Sequence, residues 1–359
     1  MSTEKRTLVI RADASTQIGT GHLMRCLALA QAWQDNGGKA VFITACGSPA
    51  LKQRLRNEGF GVVELQRTYP DPADLETTKN VLAAHPVAWL VLDGYHFDSA
   101  YQRLIKESGH RLLVIDDMAH LDHYYADIVL NQNIHADKLH YSCEPYTRLL
   151  LGTKYVLLRR EFWPWRNYKR EVPEVAKKVL VTMGGSDPNN VTLKVIRALN
   201  QIDIPDLEAV VVVGPSNPHR KTLRWAAESS PLPINLVENA ENMPELMAWA
   251  DVAVSAGGST VWELIAMGLP SLIVVLAENQ QLVAKKLAEA GVVISLGNGK
   301  FVADETIENN VSLLLKDQGS RITMIRAAKC LVDFNGGDRI CKFITSQNWR
   351  IKYDKTEKS

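Results

Sequence analysis

The chain has 359 residues, of which 46% are hydrophobic and 23% charged, and its formal net charge is +1. This length suggests two domains, and the small net charge gives no electrostatic case for nucleic acid as the main partner. Its apolar runs are too short to span a bilayer, the N-terminus lacks the apolar core of a secretory signal, and the five dispersed cysteines are typical of reduced thiols. We therefore expect a cytoplasmic protein without membrane insertion, and a monomer.

Short apolar runs alternate with helix-length segments along both halves of the chain. In the first half the apolar runs lie at 8–10, 41–43, 89–92, 112–115 and 128–130, and helices are expected at 23–35, 50–58 and 99–108. In the second half the runs lie at 179–183, 210–213, 234–237, 252–255 and 272–275. Continuous apolar strands separated by helices are typical of parallel sheets that are covered on both faces.

The sequence therefore predicts an α/β fold in which two doubly wound, Rossmann-like domains face a cleft. The first domain is expected at 1–165 and the second at 166–338, with a linker at 161–173. A last helix at about 339–349 and a frayed tail to 359 follow. Whether that helix packs back onto the first domain is left open.

The most informative segment is the glycine loop after the first strand. Gly19 and Gly21 allow the backbone to bend and to approach a ligand, and the helix that follows offers free N–H groups to an anion. His22 lies at the positive end of that helix, where the dipole disfavours imidazolium and leaves a neutral ring that can take a proton. Asp13 is expected to orient this loop or to accept its N–H groups. Arg25, one turn after His22, faces either the cleft or solvent.

A second loop of the same kind is predicted in the C-terminal half. Gly258 frees the backbone, and Ser259 or Thr260 can cap the next helix or donate a hydroxyl group to phosphate. Glu263 lies one turn further on and suits a bidentate contact to ribose hydroxyls, which together with the phosphate site indicates a nucleoside diphosphate. The alternative is a capping box in which Glu263 is only a helix charge.

A third loop consists of Met183, Gly184 and Gly185, which follow a strand and can approach a phosphate or a base closely. Asp187, just before a proline, is predicted to cap the next helix.

Polar residues follow two strands of the first domain, at positions where substrate contacts are expected. They either bind a sugar or serve as turns and helix caps, and they are Asp93, Tyr95, His96, Asp116 and Asp117. His120 and His123 have metal-ligand spacing, but no third ligand is near them in the sequence, so we predict a solvated loop and no metal.

Three motifs together resemble one family. They lie at Ile18 to Ala30, Met183 to Asp187 and Ser255 to Glu263, and the similarity extends to residues 155–162 and to Asn279 and Gln280. The family is UDP-2,4-diacetamido-2,4,6-trideoxy-β-L-altropyranose hydrolase, the nucleotide-removing enzyme of pseudaminic acid synthesis for flagellin glycosylation, whose relatives include spore-coat polysaccharide proteins.

The resemblance implies a GT-B fold, like that of the transferase that adds N-acetylglucosamine to the peptidoglycan precursor. It also implies a UDP-sugar hydrolase without metal or cofactor, with His22 as the catalytic residue and UDP held mainly by the second domain. Arg159 is expected at phosphate or sugar, and Asn279 and Gln280 at the sugar amides. The pair Gly257-Gly258 departs from relatives that carry serine there, so the backbone amides would make those contacts.

The chemistry predicted from the residues is attack of water on the anomeric carbon, with His22 as general base, with amides at Gly258–Thr260 stabilising the leaving UDP, and with inversion. One alternative is a GT-B glycosyltransferase with a UDP-sugar donor, and another is a non-catalytic nucleotide-sugar-binding protein. A dehydrogenase is disfavoured because the motif Gly19-x-Gly21 lacks the third glycine of the dinucleotide fingerprint.

Overall fold

The structure is a computed structural model that describes residues 6–238 and 240–346. The strands of its first sheet are β1 (Thr7–Ala12), β2 (Lys39–Thr44), β3 (Gly61–Glu64), β4 (Trp89–Asp93), β5 (Arg111–Ile115), β6 (Ile128–Asn131) and β7 (Arg148–Leu151). Their order in the sheet is β3-β2-β1-β4-β5-β6-β7, and all neighbouring pairs are parallel.

The strands of the second sheet are β8 (Lys178–Thr182), β9 (Glu208–Val213), β10 (Ile234–Glu238), β11 (Val252–Ala256), β12 (Ser271–Val275) and β13 (Val293–Asn298). They are also parallel, in the order β10-β9-β8-β11-β12-β13. In each sheet the chain adds strands first on one side of its first strand (β1 or β8) and then on the other side. This strand order is the doubly wound arrangement. The predicted fold class is confirmed.

Helices connect most of the successive strands in both lobes, although none lies among the described residues 116–127 between β5 and β6. Those of the first lobe are α1 (Gly21–Asp35), α2 (Pro49–Asn57), α3 (Pro72–Ala83) and α4 (Ser99–Glu107). The others are α5 (Val191–Leu199), α6 (Arg220–Glu228), α7 (Met243–Trp249), α8 (Thr260–Ala266), α9 (Gln281–Glu289), α10 (Asp304–Lys316), α11 (Gln318–Lys329) and α12 (Gly336–Thr345). Short 3-10 helices lie at Ala136–Lys138, Thr153–Tyr155, Arg160–Trp165 and Glu278–Gln280.

Alternation along the strands gives each sheet two buried faces. In β1, Leu8 and Ile10 pack toward α1, whereas Val9 belongs to the cluster on the opposite face. The second sheet divides in the same way, with Val179 on one face and Leu180 on the other. Because fully burying such a side chain contributes about 1.5–3 kcal/mol, covering both faces holds the carboxyl ends of the strands in fixed positions.

The segments between the lobes are packed rather than free. Phe162 is fully buried in the core of the second lobe, while Trp163 packs against the first. Near the chain's other end, α12 packs against α1 and places Ile340 and Ile344 in the core of the first lobe. The part of the predicted last helix beyond 346, and the tail, lie outside the described residues.

Within the described parts of the chain, no helix combines the length and the apolar character needed to cross a bilayer.

Candidate active site

A cleft lies between the two lobes, at the carboxyl ends of the central strands of both sheets. It is lined by the 16–22 loop and Tyr95 from one lobe, and by loops 183–186 and 256–260 from the other. The walls approach closely: a Cβ atom at Gly21 would lie 3.5 Å from the Ser259 hydroxyl oxygen. The cleft thus brings together the three glycine loops that the sequence singles out.

His22 is the second residue of α1 and lines this cleft. Its Nδ1 lies 2.6 Å from the Asp93 carboxylate at the end of β4, the strand beside β1. The ring also contacts Tyr95 edge-on, with 4.8 Å between ring centroids. Nη2 of Arg25 lies 3.2 Å from the same Nδ1, but the Asp93 carboxylate is closer and can only accept. We therefore assign the proton to Nδ1, which leaves Nε2 as the basic nitrogen of the ring.

Arg25 holds the carboxylate that orients His22. Its guanidinium makes two hydrogen bonds of 2.7 Å to Asp93 and bonds of 2.8 and 2.9 Å to Asp117. Burial alone would raise the pKa of Asp93, but the charge of Arg25 and the hydrogen bonds from Arg25 and His22 outweigh it and hold that pKa well below its usual range. Asp93 is therefore ionised at neutral pH, as a partner of Nδ1–H must be.

Tyr95 joins the lobes across the cleft. Its hydroxyl donates to Asp117 and accepts a 2.9 Å hydrogen bond from the side-chain amide of Asn279. Burial raises the pKa of Tyr95, and the charge of Asp117 raises it further. The phenol is therefore neutral and its proton is engaged with Asp117.

The two glycine loops of the second lobe face His22. Ser259 precedes α8 without capping it through its side chain, so its hydroxyl is not engaged by the helix. Met183, Gly184 and Gly185 follow β8, and Gly184 has a φ of +75°, which glycine adopts without strain. Gly258 and Thr260 complete this wall together with Gln280.

Asp187 caps α5, as the sequence predicts. Its carboxylate accepts 2.8 Å hydrogen bonds from the backbone N–H groups of Val191 and Thr192. Burial raises the pKa of Asp187, and these hydrogen bonds oppose that shift only in part.

Glu263 lies in a second pocket, which shares Thr20, Gly184, Gly185, Ser259 and Thr260 with the cleft. It is buried against Arg159, whose Nε and Nη2 both lie 2.8 Å from its Oε1. Burial raises the pKa of Glu263, although the charge of Arg159 opposes the shift. The contact is an ion pair between segments 104 residues apart, and not a capping box.

Arg159 is thus directed at carboxylates. Its Nη1 lies 2.6 Å from Glu161, which also pairs with Arg54 of α2. These contacts form a chain of charges that runs from α2 to α8 and lie at the second pocket, which Arg159 also lines. The phosphate or sugar contact expected of Arg159 stays a prediction.

Asp13 lies apart from the cleft. It is 1% exposed and accepts from Arg11 and from the N–H of Ala45 at 2.6 Å, and its Oδ2 lies 3.0 Å from Nε2 of His96. The reason is the alternation of β1, which directs Asp13 to the same face as Arg11 and away from α1, where His22 begins. The expectation that it supports the His22 loop is not met.

The histidine pair of the first lobe forms no metal centre. His120 hydrogen-bonds to Asp116, and His123 contacts Ser142 and Glu144. Across residues 6–238 and 240–346, no group of three or more His, Cys, Asp or Glu side chains has a metal-binding arrangement.

Sequence reasoning left the roles of Arg25, Asp93 and Asp117 open and missed Gln132 and Asn133, which follow β6 and line the cleft. The signal for Asp93 was present, because it directly follows the strand predicted at 89–92, and neighbouring parallel strands end at one edge of a sheet. The amides after β6 had no motif to mark them.

The chain is similar to several known proteins. Residues 179–334 match the glycosyltransferase family 28 C-terminal domain. The chain is 27% identical over 334 residues to the spore coat polysaccharide biosynthesis protein SpsG of Bacillus subtilis, covering 92% of this chain and 95% of that protein. It is 26% identical over 293 residues to the UDP-2,4-diacetamido-2,4,6-trideoxy-beta-L-altropyranose hydrolase of Campylobacter jejuni, covering 79% and 97%.

The crystal structure of MurG from Acinetobacter baumannii superposes with a TM-score of 0.67 at 16% identity, covering 95% of this chain and 99% of that one. The fold is GT-B. The predicted likeness to that class of two-lobed protein is therefore confirmed.

Proposed function

We propose that this protein hydrolyses a UDP-linked 2,4-diacetamido-2,4,6-trideoxyhexose to the free sugar and UDP, a step of pseudaminic acid biosynthesis. The observation that carries the proposal is the His22–Asp93 pair of one lobe, which faces the glycine loops of the other lobe across a cleft. The relative from Campylobacter jejuni supplies the substrate class through its name.

The two connected pockets suit the two ends of such a substrate. The nucleoside would occupy the pocket of Glu263, whose carboxylate can accept from ribose hydroxyls. The diphosphate would lie at the shared wall of Gly184, Gly185, Ser259 and Thr260, where free backbone N–H groups suit an anion. The sugar would then lie beside His22 and Tyr95.

In this arrangement Nε2 of His22 takes a proton from water while the water oxygen bonds to the anomeric carbon. The bond between that carbon and the diphosphate oxygen breaks, and UDP leaves with the electron pair. Asp93 stabilises the imidazolium that forms, and the amides of the second lobe stabilise the leaving group. Attack from the side opposite UDP inverts the anomeric centre. None of these steps calls for a metal or a cofactor.

A glycosyltransferase that uses the same donor is the second candidate, because residues 179–334 match a glycosyltransferase domain. Its nucleotide contacts would be the same, and a sugar or lipid hydroxyl would replace water. The two activities differ in one observable, which is whether UDP and free sugar are released without any acceptor.

The test is incubation of the purified protein with UDP-diacetamido-trideoxyhexoses of different stereochemistry, following UDP and free sugar. His22→Asn should bind UDP normally and lose about 10²–10⁴-fold in turnover. The matched control is His123→Asn, which alters a histidine of an exposed loop and should turn over normally. UDP release that requires an acceptor would overturn hydrolysis in favour of transfer. Near-normal turnover by His22→Asn would overturn the role of His22.

A further inference from the structure

The end of the cleft beside Tyr95 is lined by carboxamide side chains from both lobes. Gln132 and Asn133 come from the loop after β6, and Asn279 and Gln280 from the 3-10 helix Glu278–Gln280. Carboxamides are neutral and offer one donor group and one acceptor each. The carboxamide atoms that have no hydrogen-bond partner in the protein therefore indicate which donors and acceptors a ligand must have.

Gln132 and Asn133 each use one end of the amide within the protein. Gln132 Oε1 accepts a 3.0 Å hydrogen bond from the N–H of Leu157, and Asn133 Nδ2 donates to Asp117 at 2.7 Å. These bonds fix the orientation of both amides. Within the described residues, the Nε2 of Gln132 and the Oδ1 of Asn133 have no protein partner and are not sealed from solvent.

Asn279 and Gln280 repeat the arrangement from the opposite lobe. Asn279 Nδ2 donates to the Tyr95 hydroxyl, and Gln280 Oε1 accepts from the N–H of Leu276 at 2.9 Å. Each pair therefore has one free amide donor, on the glutamine, and one free carbonyl acceptor, on the asparagine. An acetamido group has the complementary set, namely one C=O and one N–H.

The charges that line the cleft also favour a neutral, amide-bearing sugar. Arg25 is the cationic side chain among the described residues that line this cleft, and its guanidinium is paired with Asp93 and Asp117. A carboxylated sugar would find no free cation there, whereas a neutral, amide-bearing sugar loses no hydrogen bond on entering.

We propose that Gln132 and Asn133 determine specificity by hydrogen-bonding one acetamido group of the sugar. The other acetamido group would lie at Asn279 and Gln280, where the family resemblance already places the sugar amides. This inference rests on the proposed function, because it assumes a nucleotide sugar with its sugar beside His22.

The test measures binding by the full-length chain carrying His22→Asn, so that turnover does not interfere. The ligands are UDP, UDP-glucose, UDP-N-acetylglucosamine and a UDP-diacetamido-trideoxyhexose. Gln132→Glu keeps the acceptor for Leu157 and replaces the free donor by an oxygen. It should weaken binding of the diacetamido sugar by about 10- to 100-fold and leave the Kd of UDP and of UDP-glucose unchanged. Asn133→Ser, which removes the free acceptor together with the hydrogen bond from Nδ2 to Asp117, should act in the same direction.

Gln102→Glu is the matched control, because Gln102 also accepts from a backbone N–H, that of Tyr125, but lies outside the cleft. It should leave all four affinities unchanged. Equal loss of UDP and UDP-sugar binding in Gln132→Glu, or unchanged binding of the diacetamido sugar in both cleft variants, would overturn the inference. Absence of UDP release by the wild type would instead overturn the proposed function, and the binding data would still decide the role of Gln132.

Discussion

Replacing Asp93 by Asn tests the centre of the proposed mechanism. The two carboxylate oxygens of Asp93 accept from four donors: Arg25 Nε, Arg25 Nη2, His22 Nδ1 and, more weakly at 3.5 Å, the Cys26 thiol. An amide has one oxygen, so its NH2 group must face either the guanidinium or the imidazole. Facing the imidazole, it would donate to Nδ1, place the ring proton on Nε2 and remove the base from the cleft.

The expected loss of kcat is about 10²–10⁴-fold, which is what a positioned base contributes. Loss of one partner of a buried ion pair typically lowers the free energy of unfolding by about 3–5 kcal/mol. We expect no more than this here, because Arg25 remains paired with Asp117. Turnover should be followed by UDP release, UDP affinity by calorimetry, and stability by urea unfolding. The affinity for UDP should not change.

Asp74→Asn separates catalysis from stability. Asp74 forms a buried pair with Arg11 on the far face of the first sheet, so its replacement removes a similar ion pair outside the cleft. We expect a comparable loss of stability and normal kcat. If folded Asp93→Asn kept kcat within about threefold of the wild type, the assignment of the tautomer and of the base would be wrong.

Three other predictions follow from the same contacts. Because the folded-state pKa of Asp93 lies below its ordinary value of 3.8, its contribution to stability is complete above about pH 4 and is lost as the pH falls through the folded pKa. The difference in unfolding free energy between wild type and Asp93→Asn should therefore be constant from pH 7 to pH 5 and should shrink below about pH 4 in urea titrations. Glu263→Gln should raise the Kd of UDP about tenfold in calorimetry with kcat nearly unchanged, and an unaltered Kd would refute the ribose contact. In Gly185→Ala the new Cβ would lie 2.5 Å from the Thr20 side chain, which belongs to the other lobe. This clash should push the two walls of the cleft apart and lower kcat/KM by up to about 10²-fold. Adding Thr20→Ala should restore part of the rate in steady-state kinetics, and no restoration would exclude this steric cause.

The sequence predicted the central strands and the edge strand β10, and missed the other three edge strands. The strands absent from the prediction are β3, β7 and β13, and each lies at the edge of a sheet. An edge strand has partly exposed faces, and two of these strands lack a long apolar run: β3 has only Val62 and Val63, and Ser295 interrupts β13. The run Leu149–Leu151 of β7 was present in the sequence and was missed, although Leu149 is exposed. The central strands are buried on both faces, so their residues form continuous apolar runs that are easily recognised in the sequence.

For the site, the glycine loops and His22 were readable because backbone approach and helix starts have local signatures. Contacts between residues far apart in the chain, such as Arg25 and Asp117, which are 92 residues apart, have no local sequence signature. The failure of Asp13 to reach the cleft follows from strand alternation, which the sequence did contain. The domain bounds, the monomeric state, the cytoplasmic location and the absence of a cofactor stay predictions.

Because α12 completes the core of the first lobe, that lobe is built from both ends of the described chain. Gly336 at the start of α12 is so close to the Val156 carbonyl that an added Cβ would lie 2.1 Å from its oxygen, and Arg339 bonds to the Lys154 carbonyl at 2.8 Å. The polypeptide therefore passes between the lobes twice at neighbouring points. Two adjacent tethers permit the lobes to rotate about a single line and oppose sliding or twisting. During synthesis, the face of α1 that packs against α12 stays uncovered until nearly the whole second lobe has been made, because α12 follows it in the chain.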